Sequence, residues 1–111
     1  MKGVALKYFR LFSEKNIDAL SHLFDEEASL RDWQVEAQDR VNVLTAMRET
    51  FDSVESIQVN VVDIHELRYE KKIIAELEIV IDGNTEESLS VVDIIKFSDE
   101  EKILSIKAFK G

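Results

Sequence analysis

Ser90-Val91-Val92-Asp93-Ile94-Ile95-Lys96-Phe97 is the stretch on which the fold turns. Read as a strand, whose successive side chains point to opposite faces, it sets Val91, Asp93, Ile95 and Phe97 on one side and Val92, Ile94 and Lys96 on the other. A carboxylate therefore stands in an apolar row. Enclosing an ionised carboxylate without a partner costs several kcal/mol, so such a group is neutral, paired or functional. A backbone amide or a tyrosine hydroxyl could equally well satisfy it. The opposite face is also apolar, at Val92 and Ile94, which implies cover from a second subunit. A homodimer through the outer sheet face is the expectation.

The two-residue period continues outward from this strand. Beyond the polar residues 98–102, Ile103, Ser105, Ile106, Ala108 and Phe109 read as a last strand. On the other side Asp82-Gly83-Asn84 signals a hairpin between a strand ending at Ile81 and one starting near Glu87. Ile73, Ala75, Leu77, Ile79 and Ile81 alternate with Glu76 and Glu78, and Ile57, Val59 and Val61 with Gln58 and Asn60. Before Ser56 the period lengthens to that of a helix. Val4, Tyr8, Phe9, Leu11 and Phe12 form an apolar stripe over residues 2–14. Lys15-Asn16 breaks it, and Ile17, Leu20, Leu23 and Phe24 predict a second short helix behind Asn16 as N-cap. Residues 28–31 read as a short strand and residues 32–38 as a loop carrying Trp33. Val41, Leu44, Met47 and Phe51 predict a third helix over 40–53 behind Asp39. Three helices followed by antiparallel strands is an α+β layout, one domain over 1–111, with the helices packed on one face of the sheet. A strongly curved sheet wrapped over helices encloses a pocket.

Composition narrows the function classes. The 111 residues carry 23 Asp and Glu against 14 Lys and Arg, a formal charge of −9. Such a surface repels phosphate backbones and anionic lipid, so neither nucleic acid nor membrane is an expected partner. No run approaches the roughly 18 apolar residues of a membrane span. Lys2, Lys7 and Arg10 lie within the helical pattern rather than in a leader profile, so a cytoplasmic location is expected. Without Cys there is no disulfide, no thiolate zinc site and no cysteine nucleophile. Gly3, Gly83 and Gly111 make no phosphate-binding loop, and His22 and His65 have no second ligand at metal spacing. Glu26-Glu27, Glu86-Glu87 and Asp99-Glu100-Glu101 read as solvated turns. No metal and no cofactor are expected.

Two other residues join Asp93 as candidates. Tyr8 lies one helical turn from both Val4 and Phe12, so its ring belongs to the apolar stripe while its hydroxyl points where a pocket would begin. A core tyrosine with a satisfied hydroxyl would look the same. Asp32 ends the first strand beside Trp33, at the mouth between helices and sheet, where a capping or solvated loop carboxylate is the ordinary alternative.

Tyr8-Phe9-Arg10-Leu11-Phe12, Asn16-Ile17-Asp18-Ala19-Leu20, Leu23-Phe24-Asp25 and Ala28-Ser29-Leu30-Arg31-Asp32 resemble the opening of SnoaL-like and ketosteroid-isomerase-like domains of the nuclear-transport-factor-2-like superfamily. The strand around Asp93, with Lys102-Ile103-Leu104-Ser105-Ile106-Lys107-Ala108-Phe109, resembles their last two strands. The resemblance implies a cone-shaped α+β fold. In bacterial ketosteroid isomerases the general base, the oxyanion-holding tyrosine and a protonated oxyanion-holding aspartate fall on Asp32, Tyr8 and Asp93. The intervals match too, 24 residues from Tyr8 to Asp32 and 61 from Asp32 to Asp93. What this implies is proton abstraction alpha to a carbonyl on a small apolar substrate, with Phe12, Trp33, Val91 and Ile95 lining the pocket. Three positions depart from the isomerase pattern: Trp33 stands where proline is favoured, residues 34–40 lack a glycine, and Glu101 replaces a glycine before Lys102. The alternative on the same fold is a non-catalytic ligand-binding or dimerisation module.

Overall fold

The computed structural model describes Met1–Gly111. Its helices are α1 (Lys2–Ser13), α2 (Ile17–Ser21) and α3 (Arg40–Asp52), and its strands are β1 (Phe24–Arg31), β2 (Glu36–Gln38), β3 (Ile57–Leu67), β4 (Lys72–Ile81), β5 (Leu89–Phe97) and β6 (Ile103–Lys110). The strands form one curled, unclosed sheet in the order β2-β1-β6-β5-β4-β3. Every pairing is antiparallel except that of β1 with β6. The helices pack against the concave face, as the α+β reading requires. No helix is long and apolar enough to cross a membrane.

The register explains which side chains reach that concave face. On β5, Val91, Asp93, Ile95 and Phe97 are buried, and across the sheet Leu77, Ala75 and Ile73 of β4 stand opposite the first three. Ala108 and Ile106 of β6 face Asp93 and Ile95 from the other side. On α1 the matching stripe buries Ala5, Tyr8, Phe9 and Leu11. Ser13 fastens α1 to the sheet, its hydroxyl donating to the Phe9 carbonyl (3.1 Å) and accepting from the Val59 amide (2.9 Å). The convex face carries Val92 and Phe109, directly paired and 36% and 56% exposed, beside the half-buried Ile94 and Ile74.

Lys15 organises the helix junction. It takes a left-handed φ of 56° at the break between α1 and α2. Its ammonium donates to the carbonyls of Phe51 (2.9 Å), Val54 (2.6 Å) and Glu55 (3.0 Å). These lie at and just beyond the end of α3, where helical carbonyls lack partners of their own. One side chain therefore caps α3 and fixes it against the α1–α2 corner.

Several local expectations change. The second helix stops at Ser21 because the Leu23 carbonyl accepts from the Ile103 amide (2.8 Å) and Phe24 pairs with Ile103. A long-range strand partner captures residues whose spacing alone reads as helical, and β1 begins at Phe24 rather than at Ala28. The predicted loop 32–38 contains β2, which pairs with β1 from Ser29–Gln38 to Arg31–Glu36. Asp39 does precede α3, but its side chain makes no capping bond and its φ is 75°. Asp82 and Gly83 both take positive φ, as a tight hairpin would require, yet a 3-10 turn at Thr85–Glu87 follows and β5 starts only at Leu89. In β3 a bulge between Val61 and Asp63 interrupts the two-residue period and leaves Val61 partly exposed. Glu101 adopts φ 60°. That left-handed conformation is open to glycine without steric cost and is disfavoured for a residue with a Cβ.

Candidate active site

The sheet curls away from the helices at one end and leaves a cavity of about 310 Å³ between them. Of its 23 lining residues 17 are hydrophobic, so the few polar groups among them decide what it can do chemically. Tyr8, Asp32 and Asp93 all line it, and so do Phe12, Trp33 and Val91. Ile95 does not. It shares the inner face with Asp93, but one pleat further along the sheet has closed onto the core, where Ile95 is fully buried. On β5 the cavity's floor thus lies at Asp93, and on β6 it reaches Ile106.

Tyr8 is held rigidly from three sides. Its ring meets Phe9 and Phe12 at centroid distances of 5.4 and 5.8 Å and stands edge-on to Phe24 at 6.0 Å. Aromatic packing of this kind leaves the ring one position, so the hydroxyl direction is preset. Tyr8 is 4% exposed and Asp93 6%. Neither makes a hydrogen bond within the protein. Every fully enclosed side-chain nitrogen or oxygen in the fold does have a partner. The Tyr8 and Asp93 oxygens, which have none, therefore open onto the cavity they line. The backbone amide or tyrosine hydroxyl that could have satisfied Asp93 is not used.

Burial, reinforced by the charge of Asp32, raises the Asp93 pKa from 3.8 to about 7. Burial, with Asp93 and Asp32 added, pushes the Tyr8 phenol well above 10. Both effects favour the protonated forms, which are the forms able to donate hydrogen bonds. Below about pH 7 both oxygens are protonated, and two such donors facing an apolar cavity match the requirements of a site for an oxygen that gains negative charge.

Asp32 occupies the turn between β1 and β2. Its Oδ1 accepts from the amides of Gln34 (2.7 Å) and Val35 (2.7 Å), and its own amide donates to the Val35 carbonyl (2.9 Å). This side-chain-closed turn makes the hairpin possible without glycine or proline. It also holds the carboxylate at the cavity rim with Oδ2 free of protein partners.

The rim holds two residues whose roles the sequence reading left open. Gln34 follows Trp33 in the same turn and lines the cavity. Lys110 lines it from β6, its Nζ 5.5 Å from the centroid of the Trp33 ring. The alternation through Ile106 and Ala108 extends to Lys110 and could have placed it on the inner face. A lysine at a strand end, however, ordinarily reads as a solvated terminus. His22 closes α2 with its carbonyl accepting from Lys102 Nζ (2.7 Å), and His65 pairs on the surface with Asp63 (3.2 Å). Both lie away from the cavity. No three His, Asp or Glu side chains converge as metal ligands.

The fold recurs widely among solved structures. The chain superposes with a TM-score of 0.79 on the epoxide hydrolase/cyclase-like enzyme SalBIII of pyran ring formation in the polyether salinomycin, at 22% identity, covering 99% of this chain and 89% of the other. A Shewanella denitrificans protein provisionally named a SnoaL-like polyketide cyclase gives 0.85 at 11% identity, over 99% and 89% of the two chains. A Kribbella flavida protein provisionally named a ketosteroid isomerase gives 0.82 at 15%, over 98% and 76%. At these identities the likeness establishes a shared fold. No curated protein matches the chain in sequence. A family model described as the SnoaL-like domain matches residues 5–106, from the start of the α1 stripe to Ile106 in the cavity lining. The protein belongs to the SnoaL-like domain family.

Proposed function

We propose that the cavity binds a small apolar carbonyl compound and that the protein catalyses its enolisation without a cofactor, as an isomerase or lyase. Asp32, through Oδ2, removes a proton from the carbon alpha to the carbonyl. The C–H electron pair becomes the enolate double bond, and the charge moves to the oxygen, which accepts hydrogen bonds from Tyr8 and neutral Asp93. Returning the proton to the same carbon gives exchange alone; in a β,γ-unsaturated ketone, returning it to the carbon gamma to the carbonyl shifts the double bond, regenerates the Asp32 carboxylate and completes an isomerisation. A positioned base contributes roughly 10²- to 10⁴-fold, and each preorganised donor about 2.7–4 kcal/mol of transition-state stabilisation.

The observation that carries this reading is that Tyr8 and Asp93, residues more than nine-tenths buried, turn unpartnered oxygens onto the same apolar cavity as Asp32. The names of structural neighbours, which include cyclases and an isomerase, are compatible with it.

A second reading rests on Asp32 itself. Its Oδ1 is committed to two amides of its own turn, as a purely structural carboxylate would be, and the protein would then be a ligand-binding module. Exchange of the alpha protons of a bicyclic ketone in deuterated water separates the two. Wild type should exchange them, and Asp32→Asn should bind the ketone unchanged while exchange falls at least about 100-fold. Binding without exchange in the wild type would leave the module.

A further inference from the structure

The cavity is lined mostly by apolar side chains, but a cation stands at its mouth. Lys110 is the only Lys, Arg or His among the lining residues. It takes part in none of the protein's ion pairs. Its position is nonetheless fixed. β6 runs antiparallel to β5 up to the Val91–Lys110 pair, and the following amide, of Gly111, donates to the Ser90 carbonyl (2.8 Å). The side chain leans over the face of Trp33, where a ring quadrupole attracts an ammonium. In a protein with a net charge of −9, several lysines and arginines lack a carboxylate partner, and Lys110 is the one among them that lines the cavity, at its entrance. Neither acid of the cavity is ion-paired with Lys110: Asp32 is tied through Oδ1 to its turn amides with Oδ2 unpartnered, and Asp93 lies at the floor.

From this we infer that the ligand is an acid: an aromatic or alicyclic compound of two or three rings whose ketone or phenol oxygen reaches Tyr8 and Asp93, and whose carboxylate is held at the mouth by Lys110 on its Trp33 platform. The inference rests on the proposed orientation of the ligand oxygen toward Tyr8 and Asp93. The volume of about 310 Å³ lies at the lower end for small-molecule sites, which limits the apolar body to that size. The two ends of such a molecule are recognised by opposite means, protonated donors at the floor and a cation at the rim. Lys110 is then a specificity determinant that selects the acid over the neutral compound. A neutral ring system meets the same floor but has nothing to offer the rim.

The test compares 2-naphthol with 6-hydroxy-2-naphthoic acid, both followed by their own fluorescence, on wild type, Lys110→Met, Lys110→Arg and Tyr8→Phe. In wild type the acid should bind about fivefold more tightly than 2-naphthol, the upper end for an ion pair near solvent. Lys110→Met should abolish that ratio without altering 2-naphthol affinity, Lys110→Arg should keep it, and high salt should shrink it. Tyr8→Phe should weaken both probes alike. A wild-type ratio near one, or a ratio unchanged by Lys110→Met, overturns the inference even if Tyr8→Phe weakens both probes. A Lys110-dependent preference with no effect of Tyr8→Phe would instead remove the enolate reading and leave the mouth cation. Failure of both probes to bind wild type overturns the two together. Lys110 is exposed at the end of β6, so its variants should fold, and a thermal melt of each confirms it.

Discussion

Asp93→Asn should remove most of one pH dependence from the stability of this protein. In the unfolded chain the carboxyl titrates near 3.8, and in the fold near 7. Between those values the native state holds a proton that the unfolded state has lost, so the stability contributed by Asp93 is complete below the lower value and is lost as pH rises through the upper one. At 1.36 kcal/mol per pH unit, the whole difference is about 4 kcal/mol. Asparagine keeps the shape and never ionises. Urea unfolding at a series of pH values should find the two proteins similar near pH 4. The mutant should gain about 1.4 kcal/mol relative to wild type with each pH unit, until the difference levels off above about 7. Because the charge of Asp32 is the second cause of the raised value, Asp32→Asn should bring the plateau to lower pH. A difference that stays flat with pH, or that grows in the opposite direction, would refute the claim that burial holds Asp93 neutral. The donor role of Asp93 would go with it.

Two further predictions concern the frame around the cavity. Lys15→Met leaves three carbonyls at and just beyond the end of α3 without their charged donor, and should lower stability by about 2 kcal/mol in urea unfolding; an unchanged midpoint would mean that water replaces the ammonium at no cost. The paired Val92 and Phe109 on the convex face are the expected seat of a homodimer, so Phe109→Lys should convert a dimer to a monomer in sedimentation equilibrium. A wild type that sediments as a monomer at high concentration would sink the dimer.

What could be read from sequence follows from what a period contains. A two-residue alternation states which face a side chain occupies, and that sufficed to set Asp93 in an apolar row and to group it with Val91. A helical stripe did the same for Tyr8. Neither pattern states depth. Ile95 shares a face with Asp93, yet only Asp93 borders the cavity, because the boundary lies where the curl of the sheet brings strands and helices into contact. The curl depends on pairings such as Phe24 with Ile103, between residues far apart in sequence, and the same pairing turned an expected helix end into the start of β1. Turn chemistry hid in a similar way. Asp32 closes the β1–β2 hairpin with its side chain, so the glycine or proline that announces a turn is absent, and a residue singled out for catalysis also builds the loop that carries it. That double duty has a chemical consequence. With Oδ1 engaged by two amides, the carboxylate cannot swing, and a proton can be taken only along the direction Oδ2 faces. On the proposed mechanism, substrates must then be oriented by Tyr8 and Asp93 at the floor and Lys110 at the rim, so selectivity should depend on the two ends of the cavity rather than on its apolar walls.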